Sequence, residues 1–354
     1  MGGRTNQRDI GDDASALRRA LLRWYDRNRR HLPWRTDRDP YRIWVAEVML
    51  QQTRIAVVGP AYERFLRAFP TMEVLATADE DAVLSQWSGL GYYSRARSLH
   101  RAARQLVATG MSFPRDYAAA RALPGVGAYT AAAVLSIAYD EPHAAVDGNV
   151  VRVLSRLRRL QLPDSRSEPH TTLAMELLDR RRPGDWNQAV MELGETVCTP
   201  VNPQCRACPV AAHCHAHRAG CVDRHPPPRP RRAREKVEAT MIIVRNPQGD
   251  LVLERGSFPY LPRMWLPLLY DDAAIRHDAG VEISHAITHR TFRVRIISRR
   301  AADAEFRAIV RRSTPTVERR AFTGSDLQKI GRSSLLRKAL DASERAEDEG
   351  AKDC

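Results

Sequence analysis

Lysine is almost missing from this chain: only Lys236, Lys329, Lys338 and Lys352 occur among its 354 residues. Chemistry that needs a lysine amine as nucleophile therefore has no candidate before Lys236. No run of eighteen uncharged apolar residues is present, so a helical membrane span is not expected. The opening MGGRTNQRDIGDD has no apolar core of the kind a secretory signal needs, and a soluble intracellular protein is expected. Cysteine is also sparse, and four of the six fall between Cys198 and Cys214. Such clustering favours a metal centre over disulfides, with Cys221 and Cys354 expected to stay free.

What is abundant is arginine. The net charge is +14 and the pI about 10.0. An excess of this size favours a polyanionic partner, of which nucleic acid is the commonest inside cells. An arginine-rich surface that is merely solvated is the plain alternative. The length exceeds one typical domain, and the 43% apolar content suffices for ordinary cores.

Residues 14–221 read as a string of helices, with apolar residues at three- and four-residue spacing and Gly or Pro at the joints. No internal repeat is visible. Residues 222–236 hold consecutive prolines and arginines that cannot form a core, and read as a linker. Periodicity then changes. Val237–Val244, Leu251–Glu254, Val281–Ile287 and Phe292–Ser298 read as strands, with a turn at Asn246–Asp250, giving a small α+β domain over residues 237–335. The acidic tail, residues 341–354, is expected to be disordered.

Three local patterns carry chemistry. In Leu123-Pro124-Gly125-Val126-Gly127, two glycines one residue apart permit positive φ and close approach of another backbone. The amides of Gly125, Val126 and Gly127, at the start of a helix, can bind a phosphate oxygen; a turn that only packs two helices is the alternative. Glu47 is the sole ionisable residue between Ile43 and Thr53. Burial there would raise its pKa and keep a proton near neutral pH, as a general acid requires. A structural glutamate paired with Arg35 or Arg54 reads equally well. Asp147 precedes a helix starting near Val150, where amides and dipole favour its anion; it also fits a simple N-cap. Together, one protonated and one ionised carboxylate meet the needs of glycosidic bond cleavage. Cys198, Cys205, Cys208 and Cys214 follow C-x6-C-x2-C-x5-C, a set able to hold Zn²⁺ or a [4Fe–4S] cluster. His213, His215 and His217 flank it, either as substitute zinc ligands or on a solvated loop.

These blocks, in order, resemble the adenine-DNA glycosylases of the endonuclease III, helix-hairpin-helix superfamily. The matching segments are LPWR (32–35), EVMLQQT (47–53), GLGYYSRAR (89–97), LPGVGAYTA (123–131), DGNVVRVLSR (147–156) and NQAVMELGETVC (187–198), with the whole cysteine spacing. The resemblance implies a mainly α N-terminal region: a six-helix barrel, plus an Fe–S domain built from both flanks. It implies one [4Fe–4S] cluster, and a monomer acting on double-stranded DNA with A·8-oxoguanine or A·G mispairs. A cytoplasmic, nucleoid-associated location of bacterial type would follow. On this mapping Glu47 protonates adenine N7 and Asp147 stabilises the sugar cation, supported by Tyr129 and Asn149. Trp34, Arg35 and Gln188 match the adenine pocket, and Leu50, Gln52, Thr53 and Tyr92 the group that wedges the duplex. Extrusion of the base is needed because the reacting bond is inaccessible in the stack. Tyr129 stands where lyase relatives carry a lysine, which implies a monofunctional hydrolase.

Beyond the linker, LVLERG and the segment around Trp265 are similar to the family's Nudix-like recognition domain. No glutamate-rich Nudix helix is visible between Gly256 and His289, so pyrophosphohydrolase activity is not expected. The family's Phe-Ser-His loop corresponds to Ile287-Thr288-His289, where Thr288 and His289 could read the lesion; a structural histidine in a strand turn is the alternative. Two other functions stay open: an endonuclease III-like glycosylase for T or U opposite G, and a non-catalytic Fe–S protein that binds mismatches.

Overall fold

The computed structural model describes residues 7–161, 168–228, 233–270 and 280–350. The chain divides into two compact units, Met1–Ala76 with Arg101–Pro230, and Thr77–His100 with Arg231–Cys354. The helices in chain order are α1 (Gln7–Asn28), α2 (Pro40–Leu50), α3 (Ile55–Ala68), α4 (Met72–Thr77), α5 (Glu80–Gln86) and α6 (Ser94–Ala108). They continue with α7 (Tyr117–Ala122), α8 (Ala128–Tyr139), α9 (Gly148–Arg158), α10 (Glu168–Leu177), α11 (Pro183–Thr196) and α12 (His215–Arg218).

Local sequence explains where the key helices begin. Asp39 caps α2, its carboxylate accepting from Tyr41 N at 2.8 Å and Arg42 N at 3.1 Å, while Pro40 takes the first turn, where no amide is needed. Tyr41 and then Ile43 to Met49 are buried, with Arg42 alone exposed between them, so α2 is an interior helix. Helix α8 is alanine-rich and also buried over Thr130–Ser136. Its neighbour α11 approaches closely because Gly184 has no side chain: a Cβ there would lie 2.6 Å from Ser136 O. Asp147 caps α9 through Val150 N at 2.7 Å.

One core joins the flanks of the first unit. Leu17, Leu21 and Tyr25 of α1 pack with Val153 and Leu157 of α9 and with Trp186 and Leu193 of α11. Cys198, Cys208 and Cys214 lean against the same cluster. A cysteine-bearing region assembled from both flanks, as the resemblance implied, is what the helices build.

The second unit is centred on a six-stranded sheet: β1 (Glu235–Arg245), β2 (Leu251–Arg255), β3 (Leu268–Tyr270), β4 (Val281–Ile287), β5 (Arg290–Arg300) and β6 (Glu318–Phe322). The order is β4-β5-β1-β2-β6, with β3 pairing β1 off this path. β1 and β5 run parallel and the other pairs antiparallel. Strand period splits the core. Met241 and Ile243 face α14 (Ser334–Gly350) with Phe292 and Val294, whereas Ile242 and Val244 join Phe306 of α13 (Asp303–Arg311).

Three boundaries differ from the sequence expectation. Residues 77–100 were grouped with the catalytic helices, yet they pack with the sheet unit. Tyr93 Oη donates to Arg332 O at 2.7 Å, Ser85 Oγ to Gln328 O at 2.9 Å, and Gly331 lies against Leu84. The 222–236 linker shortens at both ends. Val222–Arg224 forms a 3-10 turn, the buried His225 is gripped by Arg156, and β1 starts at Glu235. The tail is helix α14 as far as Gly350, while residues 351–354 lie outside the described residues. Its Ala342 continues an apolar stripe begun before the tail by Leu335, Leu336 and Ala339, all buried in the sheet unit's core. Glu347 meanwhile meets Arg245 at 3.4 Å and Arg300 at 3.3 Å.

Candidate active site and cysteine centre

Glu47 reaches the first unit's interior on α2 and is 4% exposed. Tyr129 Oη donates to its Oε2 at 2.6 Å, and that hydroxyl also lies 3.3 Å from Met191 Sδ. Burial pushes the Glu47 carboxyl up to about 7; the Tyr129 bond opposes this, the charge of Asp147 adds to it, and Arg35 opposes it weakly. Neither arginine offered by sequence as an ion-pair partner bonds to it. Arg35 instead binds Glu192 at 3.0 Å, and Glu192, 1% exposed, also takes Arg30 at 2.6 Å.

Asp147 lies half-buried at the head of α9. Oδ1 accepts from Val150 N at 2.7 Å and Oδ2 from Asn149 Nδ2 at 3.0 Å. The expected amides are therefore present. Even so, burial outweighs them and raises the Asp147 pKa above the ordinary aspartate value. The sequence expectation that helix amides and dipole would push this carboxyl opposite to Glu47 is corrected: burial raises both. The contrast between the two acids survives in a different form: Glu47 accepts from the Tyr129 hydroxyl, whereas Asp147 accepts from Val150 and Asn149 at the helix head.

Residues that sequence reasoning did not single out hold this arrangement. Asn187 takes Ala145 N at 3.1 Å and donates to His143 O at 2.8 Å and Ser136 Oγ at 2.8 Å, pinning the loop that delivers Asp147. Gly194 permits Asn149 to sit against α11, since a Cβ there would be 2.7 Å from Asn149 Cβ. Arg152 donates to Asn149 Oδ1 and Gly194 O, each at 2.8 Å, and to Cys198 O at 2.8 Å. The only sequence signal was their place inside the blocks DGNVVRVLSR and NQAVMELGETVC.

The remaining candidates divide by unit. Trp34 is buried edge-on to Tyr62 at 5.6 Å, and Gln188 is half-buried on α11. Leu50 and Thr53 are half-buried, and Gln52 is exposed in a left-handed conformation (φ 57°) after α2. Gly125 has φ 77°, Val126 is buried, and exposed Gly127 is the cap of α8. Tyr92, Thr288 and His289 belong to the second unit. Tyr92 is 46% exposed at φ 46°, with Arg95 stacked 5.5 Å from its ring. Thr288, exposed at φ 55°, turns the hairpin between β4 and β5, a strained conformation for a β-branched residue.

Cys198, Cys205, Cys208 and Cys214 line one cavity in the first unit. Buried Arg156 reaches it, donating to Cys198 Sγ at 3.3 Å and to Thr199 O at 2.7 Å. Burial, then neighbouring thiolates, raises Cys205 and Cys214; burial takes Cys208 to about 12. Thiols that resist ionisation singly can still ionise when a bound cation takes up the charge. No three Cys, His, Asp or Glu side chains among the described residues form a metal-ligand group. The flanking His213 is half-buried and paired with Asp13, so it does not lie on a solvated loop.

Residues 45–176 match the HhH-GPD superfamily of base excision DNA repair proteins. The adenine DNA glycosylase of Rattus norvegicus is 49% identical over 218 residues, covering 58% of this chain and 42% of the relative. That of Homo sapiens is 46% identical over 222 residues, covering 59% and 40%. This chain thus spans about two fifths of the length of those relatives. A solved thermostable thymine-DNA glycosylase superposes with TM-score 0.54 at 28% identity, covering 59% of this chain and 99% of that one. An endonuclease III bound non-covalently to DNA gives 0.50 at 23%, covering 58% and 97%, which bears on the fold alone. The fold is that of a helical helix-hairpin-helix glycosylase domain followed by a small C-terminal sheet domain. The similarity to adenine DNA glycosylases covers 58–61% of this chain.

Proposed function

We propose that this protein is a monofunctional DNA glycosylase that hydrolyses the bond between adenine and deoxyribose in duplex DNA, where adenine faces 8-oxoguanine or guanine. One observation carries the reading. Glu47 is a buried carboxyl poised near neutrality, it is held by Tyr129, and it shares a site with the separately bonded Asp147. Glu47 donates its proton to the adenine ring as the glycosidic bond opens, which turns a poor leaving group into a neutral base. Asp147, held by Val150 N and the Asn149 amide, supplies negative charge toward the cationic sugar. Water completes the hydrolysis, and the sugar keeps a hydroxyl in place of the base. Trp34, Arg35 and Gln188 enclose the extruded adenine. Leu50, Gln52, Thr53 and Tyr92 act on the opened duplex, the Gly125–Gly127 turn binds its backbone, and Thr288 and His289 read the oxidised purine.

The four-cysteine cavity fits an iron–sulfur cluster: four thiols line it, the ligand set such clusters take, and only one Cys-x-x-Cys pair occurs where structural zinc commonly uses two. Cys198, Cys205, Cys208 and Cys214 would hold the cluster, which would supply structure to the loop and no step of the hydrolysis.

The thymine-DNA glycosylase likeness keeps a second base in play. Single-turnover assays on A·8-oxoguanine, A·G and T·G duplexes decide the matter. Adenine release from the first two supports the proposal. Thymine release alone replaces it with a pyrimidine glycosylase, and binding without base release leaves only a mismatch-binding protein.

A further inference from the structure

The second unit contains a cavity of about 560 Å³ bounded by β1, the ends of β2 and β3, the 257–260 loop and residues 312–319. This volume is of the size that encloses small-molecule ligands. None of the residues assigned above to base excision lines it.

Its walls differ in chemistry. One is apolar, built from Phe258, Tyr260 and Leu269. The Phe258 and Tyr260 rings meet edge-on at 5.3 Å, and Phe292 braces them at 5.5 Å and 4.9 Å, so this wall has a defined orientation. Another wall is cationic. Arg319 is anchored through Nε to Glu254 Oε2 at 3.0 Å, and fully buried Glu254 also accepts from Leu269 N at 2.7 Å. That leaves both Arg319 Nη groups without a hydrogen-bond partner among the described residues. Exposed Arg312 lines the same space and has no ion pair there. Exposed Glu238 is the other acid at the cavity.

The third wall is backbone. β1 pairs with β5 along its whole length, but with β3 only at Thr240–Ile242 and with β2 only at Val244–Arg245. The edge away from β5 at residues 237–239 therefore has no strand partner among the described residues, and these residues line the cavity. The enclosure is ordered. Val317 N donates to Thr314 Oγ1 at 3.0 Å. Gly256 (φ 106°) lies so close to Thr316 that a Cβ would come within 2.0 Å of its carbonyl oxygen.

A planar ring needs the aromatic wall, a heterocycle with donors and acceptors suits an unpaired peptide edge, and an anion needs the free guanidinium N–H groups. A bare base would leave the arginines unused, and a simple anion would leave the other two walls unused. We propose that this cavity binds a nucleoside monophosphate, its base between the Phe258–Tyr260 wall and the β1 edge and its phosphate on Arg312 and Arg319. The ligand is either a free mononucleotide or one nucleotide of a DNA strand. The site stands independently of the glycosylase reading.

Calorimetric titration of the full chain tests it. GMP or AMP should bind saturably at one site, with guanosine and ribose 5-phosphate each weaker by about tenfold or more. Replacing Arg312 with Ala, an exposed change that spares the Arg319–Glu254 pair, should weaken nucleotide binding by about tenfold with the thermal midpoint unchanged. A short 5′-phosphorylated single strand provides the second arm: whichever ligand shows the larger Arg312-dependent affinity is the source. Absence of saturable nucleotide binding overturns the proposal, as does equal affinity for ribose 5-phosphate and GMP, or indifference to Arg312→Ala. The ligand series on unmodified protein keeps the test valid should the variant fold poorly.

Discussion

Replacing Glu47 with Gln separates catalysis from stability in one experiment. Glutamine keeps the shape and can still accept from Tyr129, but it has no proton to titrate. Burial lifts the Glu47 carboxyl from an ordinary 4.5 to about 7. The folded protein therefore binds more protons than the unfolded chain between those values, and its stability falls as pH rises through that window. The difference corresponds to an upper bound of about 3 kcal/mol, fully expressed above pH 7. Glutamine carries no such penalty. Near pH 4.5 the two proteins should match, whereas near pH 8 the variant should be more stable by about 2–3 kcal/mol, a rise of several degrees in Tm. Single-turnover adenine release should nevertheless drop by about 10²–10⁴, with duplex affinity little changed. The wild-type rate should decline above about pH 7 as Glu47 loses its proton, and also in acid as Asp147, its pKa raised by burial, becomes neutral. Melting curves from pH 4.5 to 8, read beside base-release kinetics, are the assay. If adenine release persists within tenfold, or the stability gap stays flat with pH, the reasoning is refuted.

Other outcomes follow from the same geometry. Borohydride should trap little covalent protein–DNA adduct, because no lysine precedes Lys236; efficient trapping would show an amine nucleophile at work. Gly194→Ala forces a Cβ toward Asn149 and should cost about 1–3 kcal/mol of stability, with base release falling more than duplex binding in matched assays. Cys208→Ser should abolish broad violet-to-visible absorbance and lower bound iron on elemental analysis, and stoichiometric zinc in the wild type would replace the cluster reading.

Much of the site was legible because its signals are local. Glu47 stands alone in an apolar helix, Asp147 precedes a helix start, and two glycines make a turn; each needs only a few neighbouring residues to read. The strands of the second unit were equally plain from their period. What could not be read were long-range choices. Arg35 was offered to Glu47 but went to Glu192, 157 residues away. Asn187 fixes the loop before Asp147 across 42 residues, and Gly194 matters only because Asn149 packs on it. Residues 77–100 looked like one more part of a helical run, yet hydrogen bonds to Gln328 and Arg332 place them with the sheet.

By itself the sequence determined the types of chemistry present: which carboxyl sits in apolar surroundings, which thiols cluster, and where two glycines let the backbone turn. These follow from residue identity and spacing, because a side chain's chemistry and a helix's faces are local properties. Tertiary structure decided which charges pair, how far burial overrides the amides around Asp147, and that an acidic tail becomes a packed helix. Those outcomes depend on desolvation and on partners distant along the chain, and neither exists until the chain has folded.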